Sequence, residues 1–207
     1  MRECANTPDF PPLHFSVPPM ANRLDELSER DFPWYVRLVF AYQKRKYGQV
    51  LSPMWAWGRQ PAIMFVFLLL IGRFNRLAAP GSLLRTLMSV RISQLNHCDF
   101  CVDFNAHNFL AAHGAHEKID FIDCWPEHPE VFSEEERAAL AYADAVTLND
   151  DAGTARAMTE LKRFFRDDAI VAITAWIGVQ NLSSKFNDAL AIPMQGFCRV
   201  PPRSPAD

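Results

Sequence analysis

Hydrophobic residues recur with the period of an α-helix along almost the whole central part of the sequence, and this pattern restricts the fold more than any other feature. The segment LLRTLMSVRISQL is typical, because its apolar residues are spaced for roughly one face of a helix: Leu83, Leu84, Leu87, Val90 and Leu95. Neither a hairpin nor an alternating strand pattern separates the helical segments. The sequence therefore predicts an all-α bundle of helices joined by short turns.

Capping residues indicate where the predicted helices begin and end. The stretch SEEE, in which Ser133 is followed by Glu136 three residues later, is a capping box that begins a helix over EEERAALAYADAVTL. Asp31 is suited to cap a helix that ends at Gly48. Ser82 is suited to cap the helix over LLRTLMSVRISQL. The remaining predicted helices cover MWAW, Pro61 to Ala78, His97 to His113, TARAMTELKRFF, and the segment capped near Asp167.

The chain has 207 residues, enough to bury a full core, and is predicted to form a single domain. Prolines crowd the first twenty residues, so residues 1–20 are predicted to be an extended arm, because proline disfavours helix. The predicted helical domain covers residues 21–198. Residues 199–207 are expected to form a loose tail.

Charge and composition exclude several classes of protein. A formal charge of −3 and a pI near 6.1 argue against a nucleic acid or an anionic membrane as partner. The apolar stretch from Pro61 to Gly72 is shorter than the roughly 20 residues of a bilayer-spanning helix. The N-terminus carries no export signal, so the cytoplasm is the expected location. The odd number of cysteines argues against a secreted disulfide framework.

The stretch NHCDFCVDFNAH places Cys98 and Cys101 three residues apart at the start of a predicted helix. Asn96 is suited to be its N-cap, which puts Cys98 in the first turn, where free backbone N–H groups and the helix dipole lower a thiol pKa. Cys98, Cys101 and Asn105 share one helix face, whereas His107 lies about 180° away. The pair is therefore a candidate redox centre.

A metal site and a pair of reduced, packed cysteines are the two alternative interpretations. Side chains that could bind zinc do follow the pair: His107, His113, His116 and Cys124. However, no second tight pair completes the spacing of a zinc finger or ribbon. We therefore predict no metal and no cofactor.

The residues LLRTLMSVRISQLNHCDFCVDFNAHNFLAAHG resemble the signature helix pair of the alkylhydroperoxidase D (AhpD)-like, carboxymuconolactone decarboxylase superfamily. The segments EERAALAYADAVT and VAITAWIGVQNLSSKFNDAL resemble its later helices. The resemblance implies an AhpD-like helical bundle that forms homo-oligomers, either trimers or hexamers. It also implies a CxxC pair that reduces hydroperoxides and is recharged by a dithiol or protein reductant, which in the peroxidase branch is a lipoyl-bearing protein.

By position, Cys98 and Cys101 match the two redox cysteines of the superfamily, and the second cysteine usually attacks the peroxide. The helix-terminus argument favours Cys98 instead, so the identity of the attacking cysteine stays open. The superfamily's relay glutamate falls on Thr86 and its relay histidine on Asn105. Neither residue exchanges a proton near neutral pH.

The sequence as a whole predicts a thiol–disulfide redox protein, in particular a peroxidase of an antioxidant response. General acid–base help is typically worth about 10²–10⁴-fold in rate, so turnover is expected to be slow unless another relay exists. His97 and Asp103 border the cysteine face and either form that relay or are ordinary surface residues. The alternative functions are a non-catalytic oligomeric protein that binds a ligand or a metal, and a lactone decarboxylase.

Overall fold

The computed structural model of the chain describes residues 23–77 and 79–197, so the predicted arm over 1–20 and tail over 199–207 lie outside the described residues. In these ranges the chain is all-α, as predicted, and has no β-strand. Its helices are α1 (Trp34–Tyr47), α2 (Ser52–Trp57), α3 (Pro61–Phe74), α4 (Ser82–Leu95), α5 (Asp99–His113), α6 (His116–Asp120), α7 (Glu134–Leu148), α8 (Asp151–Leu161) and α9 (Asp167–Ala189). None of these helices combines the length and the apolar character that crossing a membrane requires.

Local signals fix several helix ends where the sequence predicted them. Gly48 ends α1 with a φ of 78° and Gly114 ends α5 with a φ of 65°, the left-handed conformation that glycine adopts without strain. The capping box of α7 also forms. Ser133 Oγ accepts the Glu136 N–H at 3.2 Å, and the Glu136 carboxylate accepts the Ser133 N–H at 2.9 Å.

Other predicted helix ends are wrong, because neighbouring residues supply the cap or the stop. Pro33, not Asp31, is the N-cap of α1. Asp31 instead ends a short 3₁₀ turn, Glu29–Asp31, in which hydrogen bonds from Ser28 lower the pKa of the Asp31 carboxyl group. Helix α3 ends at Phe74, before its predicted end, since the N–H groups of Arg76 and Leu77 bond carbonyls three residues back and tighten the chain into a turn.

One further cap is displaced by one residue, because Gly81 is the N-cap of α4 and Ser82 is the first residue of that helix. Arg166 is the N-cap of α9 and Asp167 is its first residue, which agrees with the predicted cap near Asp167. An acid in the first turn still favours the helix, because its charge complements the helix dipole.

Helix α4 lies at the centre of the bundle and contacts α5, α7 and α9. Met88 and Ile92 are fully buried in the cluster that α4 shares with α7 and α9. Leu87 is fully buried in a second cluster, where Phe109 of α5 joins it. The turn that follows α4, which carries the CxxC pair, is therefore held by the core of the protein.

An ion pair between α4 and α7 anchors the chain that connects α6 to α7. The Arg91 guanidinium donates to both carboxylate oxygens of Asp144 at 2.8 and 2.9 Å, and Trp125 Nε1 donates to Asp144 Oδ2 at 3.1 Å. Arg91 also donates to the carbonyl of Asp123 at 2.9 Å. The side chains of the pair are 14% and 17% exposed, so solvent screens it only partly.

Asp144→Asn is expected to lower the free energy of unfolding by about 2–3 kcal/mol, because it leaves the mostly buried Arg91 without a charged partner. Urea denaturation followed by circular dichroism measures the change. Glu160→Gln is the control, since Glu160 and Arg163 form an exposed ion pair that is worth about 0.5 kcal/mol or less. Equal small effects of both substitutions would contradict the anchoring role of Asp144.

Candidate active site

The CxxC pair lies at the turn between α4 and α5, and Cys98 rather than Asn96 is the N-cap of α5. Asn96 ends α4 instead, and its N–H donates to the Ile92 carbonyl at 3.1 Å. His97 follows with a positive φ of 54°. The prediction that Asn96 is the N-cap is therefore wrong, because the short interhelical turn uses residues 96 and 97. The Cys98 sulfur still meets the helix N-terminus, where it accepts the Cys101 N–H at 3.3 Å.

Cys98 and Cys101 form a disulfide, and their Cα atoms lie 5.2 Å apart. This separation is in the normal range for a disulfide. The two residues are only 2% and 3% exposed, and they belong to the apolar cluster that α1 and α2 contribute to the core. The CxxC pair is therefore placed for reversible oxidation in a largely apolar environment.

Asn187 of α9 contacts the second sulfur. Its Nδ2 group donates to Cys101 Sγ at 3.2 Å, and the residue is 1% exposed. Its Oδ1 atom has no hydrogen-bond partner within the described part of the chain. A donor in this position favours a thiolate over a thiol. Sequence reasoning missed Asn187, because the stretch SSKFND around it is mostly polar and nothing in that stretch distinguishes Asn187.

A row of polar side chains continues from the disulfide between α4, α5 and α9. Asn105 Nδ2 donates to Ser93 Oγ at 3.2 Å, and Gln180 Nε2 donates to the same oxygen at 3.1 Å. Gln180 Nε2 also donates to Ser184 Oγ at 3.0 Å. Ser93 and Ser184 are fully buried. These hydrogen bonds fix the side chain of Asn105 relative to the neighbouring helices.

A cavity of about 520 Å³ adjoins Cys101, with walls formed mainly by helices α1 to α5 and α9. Thr86, Cys101 and Asn105, three of the residues predicted from the sequence, all line it, as does Asn187. Cys98 is not among the lining residues. The structure therefore brings both superfamily relay positions to the same cavity as Cys101.

Comparison with known proteins identifies the family. No family model matches the chain. YnjA, an uncharacterised protein of Escherichia coli strain K12, is 39% identical over 159 residues, which are 76% of this chain and 87% of YnjA. A solved structure from Agrobacterium tumefaciens, of a protein of unknown function suggested to be the antioxidant defence protein AhpD, is 26% identical. It has a TM-score of 0.62 and covers 66% of this chain and 93% of its own. The chain belongs to the AhpD-like superfamily.

Solved structures of lower identity share the AhpD-like fold. A peroxidase-related protein from Ralstonia eutropha, described as an AhpD core, has a TM-score of 0.73 at 16% identity over 84% of this chain and 92% of its own. The debrominase Bmp8 has a TM-score of 0.69 at 20% identity over 83% of this chain and 91% of its own. The AhpD-like fold is thus an enzyme fold that is not tied to one reaction.

In this AhpD-like chain the two relay positions hold neutral groups that are already hydrogen-bonded. Thr86 Oγ1 donates to the carbonyl of Ser82, one turn earlier in α4, at 2.6 Å. The Asn105 amide is bonded to Ser93 Oγ. Both side chains line the cavity, yet neither is an acid or a base near neutral pH.

The other candidate relay residues lie away from the cavity of the AhpD-like chain. His97 is exposed. Asp103 is 5% exposed, and its carboxylate accepts the backbone N–H groups of Gln195 at 3.3 Å and Phe197 at 2.9 Å, so it ties the C-terminal segment to α5. His107 packs against the Phe197 ring, at 5.6 Å between ring centres. Neither His97 nor Asp103 lines the cavity, and their relay role stays a prediction.

The histidines that follow the CxxC pair do not gather around it. His113 lines the same cavity, but the helix rise places it about 18 Å along α5 from Cys101. Its Nε2 atom is buried without a hydrogen-bond partner among the described residues. Within residues 23–77 and 79–197, no three histidine, cysteine, aspartate or glutamate side chains are placed to hold a metal ion.

Proposed function

We propose that this protein is a thiol peroxidase that reduces organic hydroperoxides through Cys98 and Cys101, as part of an antioxidant response. The observation that carries the proposal is the disulfide between the two cysteines, one of which, Cys101, lines a cavity large enough for an organic substrate. A dithiol reductant, whether a small molecule or a protein, recharges the pair. This cycle suits the reducing environment of the cytoplasm.

Cys101 acts as the attacking cysteine. Its thiolate sulfur forms a bond to one peroxide oxygen while the O–O bond breaks, and the departing alkoxide takes up a proton to become an alcohol. The Cys98 thiolate then attacks the resulting Cys101 sulfenic acid, which forms the disulfide and releases water. The reductant donates two electrons and two protons to restore both thiols.

Two contacts support this assignment of roles. Cys101 adjoins the cavity, and its sulfur accepts a hydrogen bond from the Asn187 amide at 3.2 Å. A substrate in the cavity and a hydrogen-bond donor that stabilises the thiolate are therefore both close to this sulfur. The Cys98 sulfur accepts a hydrogen bond from the Cys101 N–H at the start of α5. This hydrogen bond stabilises the Cys98 thiolate for the resolving step. Both cysteines thus have a donor, but only Cys101 lines the cavity.

The proposed function is tested by exposing fully reduced protein to one equivalent of cumene hydroperoxide. The expected product has lost two hydrogens per chain, and peptide mapping finds the new bond between Cys98 and Cys101. Mapping is needed because the chain has five cysteines. If both thiols stay reduced while the peroxide is intact, the peroxidase proposal fails.

Asn187→Leu is expected to slow the reaction of Cys101 with peroxide by roughly tenfold at neutral pH, because it removes the amide donor from the sulfur. In the reduced variant, the pH at which Cys101 reacts with iodoacetamide at half its maximal rate should be higher than in the wild type. Asn181→Leu is the control, since Asn181 lies on the same helix but bonds Thr147 and Asn96 instead. A Cys101 titration that is unchanged in Asn187→Leu would contradict the role of the amide.

We also propose that the protein forms a homo-oligomer, a trimer or a hexamer, through α1 and α3. Trp34, Leu38 and Tyr42 recur every four residues along α1, and each is at least 60% exposed. On α3, Val66 is 67% exposed, and Phe65 of the same helix packs against Tyr35 of α1, so the two helices present a shared apolar surface. Contiguous apolar surfaces of this kind mark protein interfaces.

A chain with Leu38→Glu and Val66→Glu is expected to have a lower molar mass than the wild type, because two charges would be buried at each interface. Light scattering coupled to size-exclusion chromatography measures the mass. Val171→Glu is the matched control, since Val171 is equally exposed, at 68%, but lies on α9. A wild-type protein with the mass of one chain would contradict the proposal.

A further inference from the structure

Arg85 is a buried cation that has no acidic partner among the described residues. The residue is 7% exposed, and its Nη1 atom donates to the carbonyls of Phe74 at 3.0 Å and Pro80 at 3.4 Å. Its guanidinium lies 5.6 Å from the centre of the Trp176 ring. Burial lowers the pKa of Arg85, but an arginine of this kind stays protonated. Among the described residues, no carboxylate forms an ion pair with it.

The cavity that Arg85 lines has a positive electrostatic character. Its lining includes a second cation, Lys46, which is exposed at the rim on α1. No aspartate or glutamate of residues 23–77 or 79–197 lines it. A buried positive charge without a counter-ion is costly, and an anion that enters the cavity would offset that cost.

The positive charge and the redox sulfur lie at different levels of the cavity. Arg85 is level with Trp176, because the Trp176 Nε1 group donates to the Arg85 carbonyl at 3.2 Å. Cys101 is level with Asn187, whose amide contacts its sulfur. Eleven residues of α9 separate Trp176 from Asn187, which corresponds to about 16 Å along the helix.

Much of the remaining lining is apolar and aromatic. It includes side chains from α2, α3 and α5: Met54, Trp57, Phe67, Leu68, Phe100 and Phe104. A ligand that matches this lining therefore has a long apolar part and one anionic end. Neither a small neutral peroxide nor a compact polar anion would use both features.

We infer that the cavity binds a long-chain carboxylate, with the carboxylate at Arg85 and the chain extending toward Cys101, and that the preferred substrate is accordingly a hydroperoxide that carries a carboxylate. The identity of the reacting group rests on the proposed peroxidase function, whereas the binding of the carboxylate does not. Arginine suits this role because its planar guanidinium binds a carboxylate through two hydrogen bonds.

Binding is tested first on the wild-type protein with decanoate and methyl decanoate, below their aggregation limits. Trp57 and Trp176 line the cavity, so tryptophan fluorescence reports occupancy. Decanoate should bind at least about tenfold more tightly than its ester. Decanoate is too short to span the roughly 16 Å between the two levels, whereas myristate is about that long, so myristate should protect Cys101 of the reduced protein from iodoacetamide. Equal affinity of decanoate and its ester, or myristate binding without protection, would overturn the inference.

Catalysis is tested with linoleic acid hydroperoxide and its methyl ester. The wild type should show a higher kcat/KM for the acid, and Arg85→Gln should reduce the acid-to-ester ratio by about tenfold or more, with partial rescue by Arg85→Lys. An unchanged ratio in a folded Arg85→Gln protein would refute the assignment. If that variant does not fold, the wild-type comparison decides.

The two tests separate the inference from the proposed function. If the protein binds decanoate in the expected way but reduces no peroxide, the peroxidase proposal fails and the carboxylate site stands. If it reduces cumene hydroperoxide but does not distinguish decanoate from its ester, the carboxylate site fails and the peroxidase proposal stands.

Discussion

Cys101→Ser is expected to abolish peroxide turnover, with a rate at least about a thousandfold below that of the wild type. A serine hydroxyl remains protonated near neutral pH, so it cannot attack the peroxide as a thiolate does. Cys98→Ser should behave differently. It retains the sulfur that lines the cavity, so it should react once and stop at a sulfenic acid on Cys101, because Cys98 is no longer present to resolve it.

The two variants are compared by stopped-flow measurement of a single turnover, with no free thiol present to reduce the sulfenic acid, and by dimedone labelling after one equivalent of peroxide. Dimedone should label Cys98→Ser on Cys101 and leave Cys101→Ser unlabelled. Thermal melting of both proteins shows whether the fold is intact, since each substitution changes a fully buried site. If instead Cys98 is labelled in Cys101→Ser, the attacking role belongs to Cys98, as the helix-terminus argument from the sequence allowed.

The double substitution Thr86→Glu with Asn105→His is expected to raise the rate of peroxide reduction by about 10²-fold or more, because it restores the glutamate and the histidine at the two superfamily relay positions. Both positions line the cavity that Cys101 adjoins, and position 105 lies about one helical turn beyond Cys101, so the introduced imidazole is the member of the relay nearer to the sulfur. Neutral histidine is the form that accepts the thiol proton. The rate should therefore rise as the pH increases through about 6.5, the usual pKa of histidine.

Stopped-flow measurement of the first turnover across pH 5 to 8, a range of roughly one unit or more on either side of that pKa, tests this prediction. Asn108→His is the matched control, since Asn108 also lines the cavity but lies nearly one helical turn beyond Asn105. A double variant no faster than the wild type would show that proton transfer does not limit the reaction, or that another group already performs it. His97→Ala then distinguishes these cases, because it tests the relay proposed from the sequence.

Features encoded by short stretches of sequence could be predicted, and features that depend on distant contacts could not. The capping box of Ser133 and the stop at Gly114 are set by residues within one turn, so the sequence was sufficient. Asn96 was misassigned because it is a good N-cap in isolation, whereas the structure uses it to end α4. Helical spacing predicted that Cys98, Cys101 and Asn105 share one face, and of these three Cys101 and Asn105 line the cavity, whereas Cys98 is the N-cap and does not.

The surroundings of the cysteines depend on contacts far apart in sequence. Asn187 is 86 positions from Cys101, and no local pattern relates them. Asp103 is a second case in which long-range contacts could not be predicted from the sequence. Its position on α5 brought it near the cysteine face, but its carboxylate binds backbone N–H groups 92 and 94 positions away. The sequence could therefore suggest which residues lie near the cysteines, but not which atoms their side chains contact.

The burial of both sulfurs also bears on the order of events in a catalytic cycle. Because Cys98 and Cys101 are 2% and 3% exposed, the surface of a folded reductant cannot reach the bond by simple collision. Under the proposed peroxidase function, the cavity beside Cys101 is then the route for the oxidant and for the reducing agent alike. The two must take turns, which gives ping-pong kinetics. A slender reductant such as a lipoyl arm fits this route, and excess substrate should inhibit by keeping it out.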